Sequence, residues 1–157
     1  MREECPPSPT PLWQGEQYGH DRIRLAYLSS DFREHAVAYL TAGLFERHDR
    51  KRFETIALSF GPDDSSAMRS RLKNAFERFV DVRQRSDADV ARLVRELEID
   101  ILVDLNGYTT NARTGVLARR ASPVQVNYLG YPGTMGTEYV DYIIADPFVI
   151  PAGSKAH

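Results

Sequence analysis

The chain has 157 residues, with 20 basic and 22 acidic side chains and a net charge of −2, a balance that gives no field to draw in nucleic acid or an anionic membrane. Its one cysteine, Cys5, excludes a disulfide frame or a cysteine-based zinc site within one chain, and no apolar run approaches the roughly 20 residues of a membrane span. With 42% apolar and 27% charged residues, a single globular domain is expected; the lack of a signal-peptide core makes a cytoplasmic location the simplest expectation.

Residues 1–20 carry Pro6, Pro7, Pro9 and Pro11 and read as an extended, mobile leader or linker. Trp13 within it is expected to dock on the domain surface. From Arg22 onward the pattern alternates. Ile23–Leu28 is an apolar run that reads as a buried strand and stops at Ser29, Ser30 and Asp31. Helical spacing follows, with Val37, Leu40 and Leu44 in a helix from about Ala36 to His48. Phe53–Phe60 reads as the second strand, ending at Gly61-Pro62. A helix with Met68, Leu72, Ala75 and Phe76 precedes a short third strand, Arg78–Val82. Ser86 is expected to cap the next helix, and Asp89 completes a capping-box variant. Its apolar residues Val90, Leu93, Val94 and Leu97 fall at i, i+3, i+4 and i+7. Ile99–Val103 is the fourth strand, followed by a loop over Asp104–Thr109. A shorter helix over about Ala112–Arg119, a fifth strand over Pro123–Leu129 and a sixth over Tyr139–Ile144 complete the pattern. Strands alternating with helices predict an α/β fold with a mostly parallel sheet covered on both faces.

That topology brings three loops to one rim: Ser29–His35, Asp104–Thr109 and Leu129–Gly136. In open α/β sheets the ligand crevice lies beyond the carboxyl ends of the strands. If the first helix starts at Asp31, then Asp31 and His35 project from one face of its first turn and can share or present a proton. The plainer alternative makes Asp31 an N-cap and His35 a surface histidine. Glycines in Leu129–Thr134 would let backbone amides approach phosphate, with the Thr134 hydroxyl as a further donor; a plain turn fits equally. Asn106 and Thr109 offer an amide and a hydroxyl, though Asn106-Gly107 is also turn chemistry. His20, His48 and His157 show no ligand-pair spacing, so a built metal site is not expected. The basic runs Arg69–Lys73 and Arg83–Arg85 read as solvated faces.

Taken together, Ser29-Ser-Asp-Phe-Arg-Glu-His35, Ile101-Leu-Val-Asp-Leu-Asn-Gly-Tyr-Thr109, Ala121-Ser-Pro-Val-Gln-Val126, Leu129-Gly-Tyr-Pro-Gly-Thr134 and Asp141-Tyr-Ile-Ile144 resemble the catalytic region of the O-linked N-acetylglucosamine transferases. This family, glycosyltransferase family 41, also holds the SPINDLY-type enzymes. The five words fall in the family's order and spacing, from about Arg22 to Pro151. The resemblance implies one of two Rossmann-like lobes of a GT-B type enzyme. By it, residues 1–20 are a leader or linker, 21–151 the N-terminal catalytic lobe and 152–157 the start of an inter-lobe connection or a tail. It implies transfer of a sugar, GlcNAc first, from a UDP-sugar to protein Ser or Thr with inversion and without a bound metal or other cofactor. Tetratricopeptide repeats and the second lobe would be partners; the fragment alone is expected to be inactive. His35 and Asp31 are implied as catalytic residues, and Leu129, Gly130, Tyr131, Pro132, Gly133, Thr134, Asn106 and Thr109 as substrate-binding ones. Two departures bear on the donor. Ala36 and Val37 stand where the animal enzymes have Pro and a donor-contacting Thr, and Arg33-Glu34 stands where they have Gly-Asn. The alternative is a non-catalytic Rossmann-like module that binds a nucleotide or a protein. A weak homodimer through an exposed face is a further expectation.

Overall fold

Strand β1 (Ile23–Ser29) is the middle of the molecule, and its composition explains why. Leu25–Ser29 are buried without alternation, as a strand covered on both faces requires. The computed structural model describes residues 5–151 and 153. In it β1 lies between β2 (Phe53–Ser59) and β4 (Ile101–Asp104). Outside β2 is β3 (Arg78–Asp81); outside β4 come β5 (Val124–Tyr128) and β6 (Tyr142–Ile144). The order is β3-β2-β1-β4-β5-β6, and every neighbouring pair is parallel. The direction of winding reverses between β1 and β4, the point at which open sheets of this order form their ligand crevice.

Alternate residues of the central strands feed two cores. Leu25, Tyr27, Ala57 and Val103 face α1 (Ala36–Glu46) and α2 (Ala67–Ala75), and with Phe32, Phe45 and Phe76 form one cluster. Ala26, Leu28, Ile56, Leu58 and Leu102 face α3 (Asp87–Glu96) and α4 (Thr114–Leu117). Each buried Phe or Leu stabilises the fold by about 1.5–3 kcal/mol relative to exposure. The expected capping box is present: the Asp89 N–H donates to Ser86 Oγ at 3.1 Å, and the Ser86 N–H donates to Asp89 Oδ2 at 3.3 Å.

The differences from expectation have local causes. Asp104 closes β4 rather than opening a loop, paired in register with Leu28 and Asn127. Strand β5 stops before Leu129, whose φ of +70° no strand accommodates. The helix expected over Ala112–Arg119 shrinks to α4, four residues long, with Asn111 at φ +63° before it and Arg120 at +47° after. Strand β6 starts three residues late. The backbone on its approach is held by Gln125 instead, whose N–H donates to Asp141 Oδ2 at 2.7 Å and whose side-chain amide donates to the Tyr139 carbonyl.

Residues 5–20 are extended but are tied to the domain, contrary to the expectation of a mobile leader. The backbone N–H groups of Ser8, Leu12 and Trp13 donate to the carbonyls of Ala118, Arg119 and Arg120 at 2.8–2.9 Å. Cys5 and Leu12 pack against the α3–α4 core. Trp13 sits on the domain surface, as expected, with its indole N–H on the Glu16 carbonyl at 2.9 Å. Residues 1–4 of the leader and, Gly153 aside, the expected connection over 152–157 lie outside the described residues. Among the described residues no helix is long and apolar enough to cross a membrane, and no group of three or more His, Cys, Asp or Glu side chains could hold a metal ion.

Candidate active site at the switch point

The carboxyl ends of β1 and β4 carry a polar network on an apolar base. After β1 the chain turns through Ser30, Asp31 and Phe32. Phe32 is buried edge-on against Phe45, Phe76 and Phe79, which anchors the turn from below. After β4, Asn106 is buried and reaches across to the same turn. Its Oδ1 accepts the Ser30 N–H at 3.0 Å, which fixes the orientation of the amide. Its Nδ2 then donates to Ser30 Oγ at 2.8 Å and to Thr109 Oγ1 at 3.2 Å, with Asp31 Oδ2 at 3.5 Å. Asn106 is therefore both the start of a turn, closed by Thr109 N–H on its carbonyl at 3.3 Å, and the bridge between two loops. Beneath it, Asp104 accepts the N–H groups of Asn106 at 3.0 Å and Gly107 at 2.7 Å. Burial pushes the Asp104 carboxyl above the usual range, opposed by those two N–H bonds and by the Asn127 side chain.

Above the network is an open cleft of ≈430 Å³. Asp31, His35, Asn106, Thr109 and Gly130 line it together, joined by Arg33, Gly61 and Asn111. Asp31 is nearly buried; its Oδ1 accepts from Ser30 Oγ at 2.9 Å and its N–H donates to Ser29 Oγ at 2.9 Å. His35 Nδ1 lies 3.7 Å from Asp31 Oδ2. The pair meets by a different route from the one expected. Helix α1 begins at Ala36, so Asp31 belongs to the turn before it, and His35 is itself the N-cap, its Nδ1 accepting the Val37 N–H at 3.3 Å. A ring nitrogen that accepts carries no proton, which places the neutral ring's proton on Nε2.

The loop after β5 enters the cleft through Gly130. The cleft lining does not include Leu129, Tyr131, Pro132 or Gly133. Thr134 lines a separate depression with Asn127 and Tyr142, and its hydroxyl oxygen accepts the Gly136 N–H at 3.1 Å. The Tyr131 ring stands edge-on to Tyr108. Nor does Gly130 present its amide to a ligand: that N–H donates to the Tyr128 carbonyl at 2.9 Å, closing a γ-turn centred on Leu129. Glycine is needed there for a packing reason, because a Cβ would lie 1.9 Å from the Leu105 carbonyl oxygen. Gly61 is the same case, with the Ser30 carbonyl oxygen 1.7 Å from a Cβ position. These two backbone contacts seat the loops after β2 and β5 against those after β1 and β4.

Gly61 and Arg69 were not among the expected site residues, and Arg33 was marked only through the resemblance, as a departure bearing on the donor. Arg69 is not on a solvated face. It is only 2% exposed, its Nη1 donating to the Phe32 carbonyl at 2.8 Å and to Ser59 Oγ at 3.3 Å, its Nε 3.0 Å from Asp63 Oδ1 and its guanidinium over the Phe79 ring. The signal for it was its place among apolar neighbours: Met68 and Leu72 flank it on the buried side of α2.

A family model described as Glycosyl transferase family 41 matches residues 10–157. The chain belongs to glycosyl transferase family 41. Among family 41 proteins, it is 38% identical over 133 residues to a probable UDP-N-acetylglucosamine–peptide N-acetylglucosaminyltransferase SEC of Arabidopsis thaliana, covering 85% of this chain and 14% of that protein. It is 37% identical over 146 residues to the UDP-N-acetylglucosamine–peptide N-acetylglucosaminyltransferase of Caenorhabditis elegans, covering 90% of this chain and 13% of the relative. Among solved structures, a K341M mutant of the Thermobaculum terrenum O-GlcNAc transferase superposes with a TM-score of 0.83 at 35% identity, over 97% of this chain and 29% of that one. The chain thus spans about a seventh of these curated family 41 relatives, and the Rossmann-like order of its sheet agrees with the likeness.

Proposed function

We propose that this chain supplies the N-terminal Rossmann-like lobe of the catalytic region of a GT-B type protein O-glycosyltransferase. The reaction moves a sugar, GlcNAc first, from a UDP-sugar to a Ser or Thr hydroxyl of a protein, with inversion. The observation that carries this reading is the convergence of Asp31, His35, Asn106 and Gly130 on one cleft at the switch point of the sheet. In an inverting transfer the acceptor oxygen bonds to the anomeric carbon while the bond from that carbon to the β-phosphate oxygen breaks. The electron pair leaves with the diphosphate, and the acceptor hydroxyl loses its proton.

The local geometry divides the labour. Asp31 has a carboxylate oxygen positioned by Ser30 and is the better proton acceptor. His35 has committed its lone pair to the cap of α1, so its Nε2–H is left to donate to sugar or phosphate oxygens. The chemistry requires no bound metal in this reading. Its setting is the cytoplasm, and a second lobe completes the nucleotide site. Without that lobe the cleft stays wet, which weakens every charge interaction in it, and the 157-residue chain by itself is expected to bind donor without turning it over.

The test is a residue-resolved solution titration with UDP-GlcNAc. Amide and side-chain signals of Asp31, His35, Asn106 and Gly130 should move together. Perturbations confined to the Thr134 depression, or none at all, defeat the reading. Measurable hydrolysis or transfer by the isolated chain would refute the expected inactivity.

A further inference from the structure

Arg33 stands in the turn between β1 and α1. Among the described residues it is the one permanent cation that lines the cleft. Its position is fixed from both sides. On one side Phe32 is locked among aromatic rings and its carbonyl is held by Arg69 at 2.8 Å. On the other, the Glu34 N–H donates to Asp64 Oδ2 at 2.7 Å. Between these anchors the Arg33 N–H folds back onto the Asp31 carbonyl at 2.8 Å.

The guanidinium that this rigid turn delivers is poorly matched within the chain. Its Nη2 is 3.6 Å from Asp31 Oδ1, and its Nε is shut off from solvent with no hydrogen-bond partner. Other arginines here fasten properly to carboxylates. Arg71 grips Glu46 through two nitrogens at 2.6 and 2.8 Å, and Arg83 grips Asp81 at 2.7 and 2.9 Å. Asp31 cannot do the same for Arg33 because Ser30 Oγ already holds its Oδ1 and its Oδ2 faces Asn106 and His35. With Nε shut off, the two terminal nitrogens of this rigidly held, partly exposed guanidinium are what the cleft offers, and they suit two oxygens of a phosphate group.

We propose that Arg33 holds the diphosphate of the sugar donor, and that it sets the preference of the cleft for a nucleoside diphosphate over the bare nucleoside. The proposal rests on the transferase reading above. As the bond to the sugar breaks, charge grows on that diphosphate, so a contact made in the ground state strengthens along the reaction.

The experiment titrates the whole 157-residue chain, its Arg33→Gln and Arg33→Lys variants, and Arg83→Gln as a charge control outside the cleft. UDP and uridine are the probes, with inorganic pyrophosphate as a competitor on the unaltered chain. The unaltered chain should bind UDP about tenfold or more tightly than uridine, the size of one charged hydrogen-bonded contact. Pyrophosphate should displace UDP. Arg33→Gln should erase the difference and leave uridine binding unchanged, Arg33→Lys should restore part of it, and Arg83→Gln should keep it. If Arg33→Gln retains the UDP-to-uridine ratio, the role of Arg33 is overturned while the transferase reading stands. If the unaltered chain does not prefer UDP, the reading itself fails and the inference goes with it. Should the glutamine variant not fold, the lysine variant and the pyrophosphate competition decide: no displacement of UDP by pyrophosphate overturns the proposal.

Discussion

The amino rim of the sheet and the cleft on its carboxyl rim are built on opposite plans. At the amino ends of the strands, charges are matched. His20 sits between Glu98 at 2.8 Å and Asp100 at 3.2 Å, Arg22 meets Glu77 at 2.9 Å, and Arg24 meets Glu54 at 3.2 Å. In the cleft beyond the carboxyl ends of β1 and β4, the neutral polar groups are matched and the permanent cation is not, although elsewhere on that rim Arg83 grips Asp81 and Arg113 grips Asp87. Asn106 makes three hydrogen bonds to Ser30 and Thr109, whereas Arg33 stands 3.6 Å from the Asp31 carboxylate. Left-handed residues divide in the same way. Glu98 and Arg120, at the amino rim, follow helices, where this conformation is a common way to end one. Leu129, at the carboxyl rim, follows a strand and holds a tight turn beside the cleft. The amino rim fastens the fold; the cleft keeps the Arg33 charge in reserve on a rigid base.

The contrast breaks most severely where backbone meets backbone. Gly61→Ala would press a methyl group onto the Ser30 carbonyl, and neither side has a side chain that could move. A loss of about 3 kcal/mol or more is expected in denaturant unfolding, with Gly130→Ala close behind. Arg69→Met comes next. It removes the donor to the Phe32 carbonyl in a buried place and should cost about 2–3 kcal/mol. It should also loosen the turn bearing Arg33, visible as faster amide exchange at residues 31–35.

The amino rim answers to pH. Hydrogen bonding to Glu98 first, and to Asp100 after it, raises the His20 pKa against the opposing effect of desolvation. A histidine whose pKa is raised by folding contributes its full stabilisation below its unfolded value and loses it as pH rises through the folded one. Stability should therefore fall across that window, from about 6.5 upward. His20→Gln should flatten the slope in a series of denaturant melts. The mildest change, Gly19→Ala on the same rim, meets nothing within 4 Å and should move stability by no more than about 0.5 kcal/mol. A large effect there would undo the claim that backbone crowding belongs to the carboxyl rim.

What the sequence made legible follows from range. Continuous apolar runs and helical spacing are local, so β1 to β5 and α1 to α3 could be read from the chain within a few residues of their observed bounds. The alternation of strands and helices placed the loops bearing Asp31, His35, Asn106, Thr109 and Gly130 on one rim, because a parallel sheet puts every strand's carboxyl end there. Strand order could not be read, since pairing of β1 with β4 spans more than 70 residues. Arg69 was illegible for the same reason: its partners Phe32, Ser59 and Asp63 come from three separate stretches, and a basic residue in a basic run looks solvated until they are assembled. Thr134 lines a separate depression, and spacing along a loop does not say which way the loop folds back after its first turn. The significance of Arg33 lies in what it fails to pair with, which its neighbours in the sequence do not show.

The docked N-terminal segment carries the chain's single tryptophan, hydrogen-bonded through its backbone to Arg120 and through its indole to Glu16. Its emission spectrum is a built-in optical reporter. Detachment of that segment would shift the light toward the red, and with no second indole in the sequence the change would need neither dye nor label to be assigned.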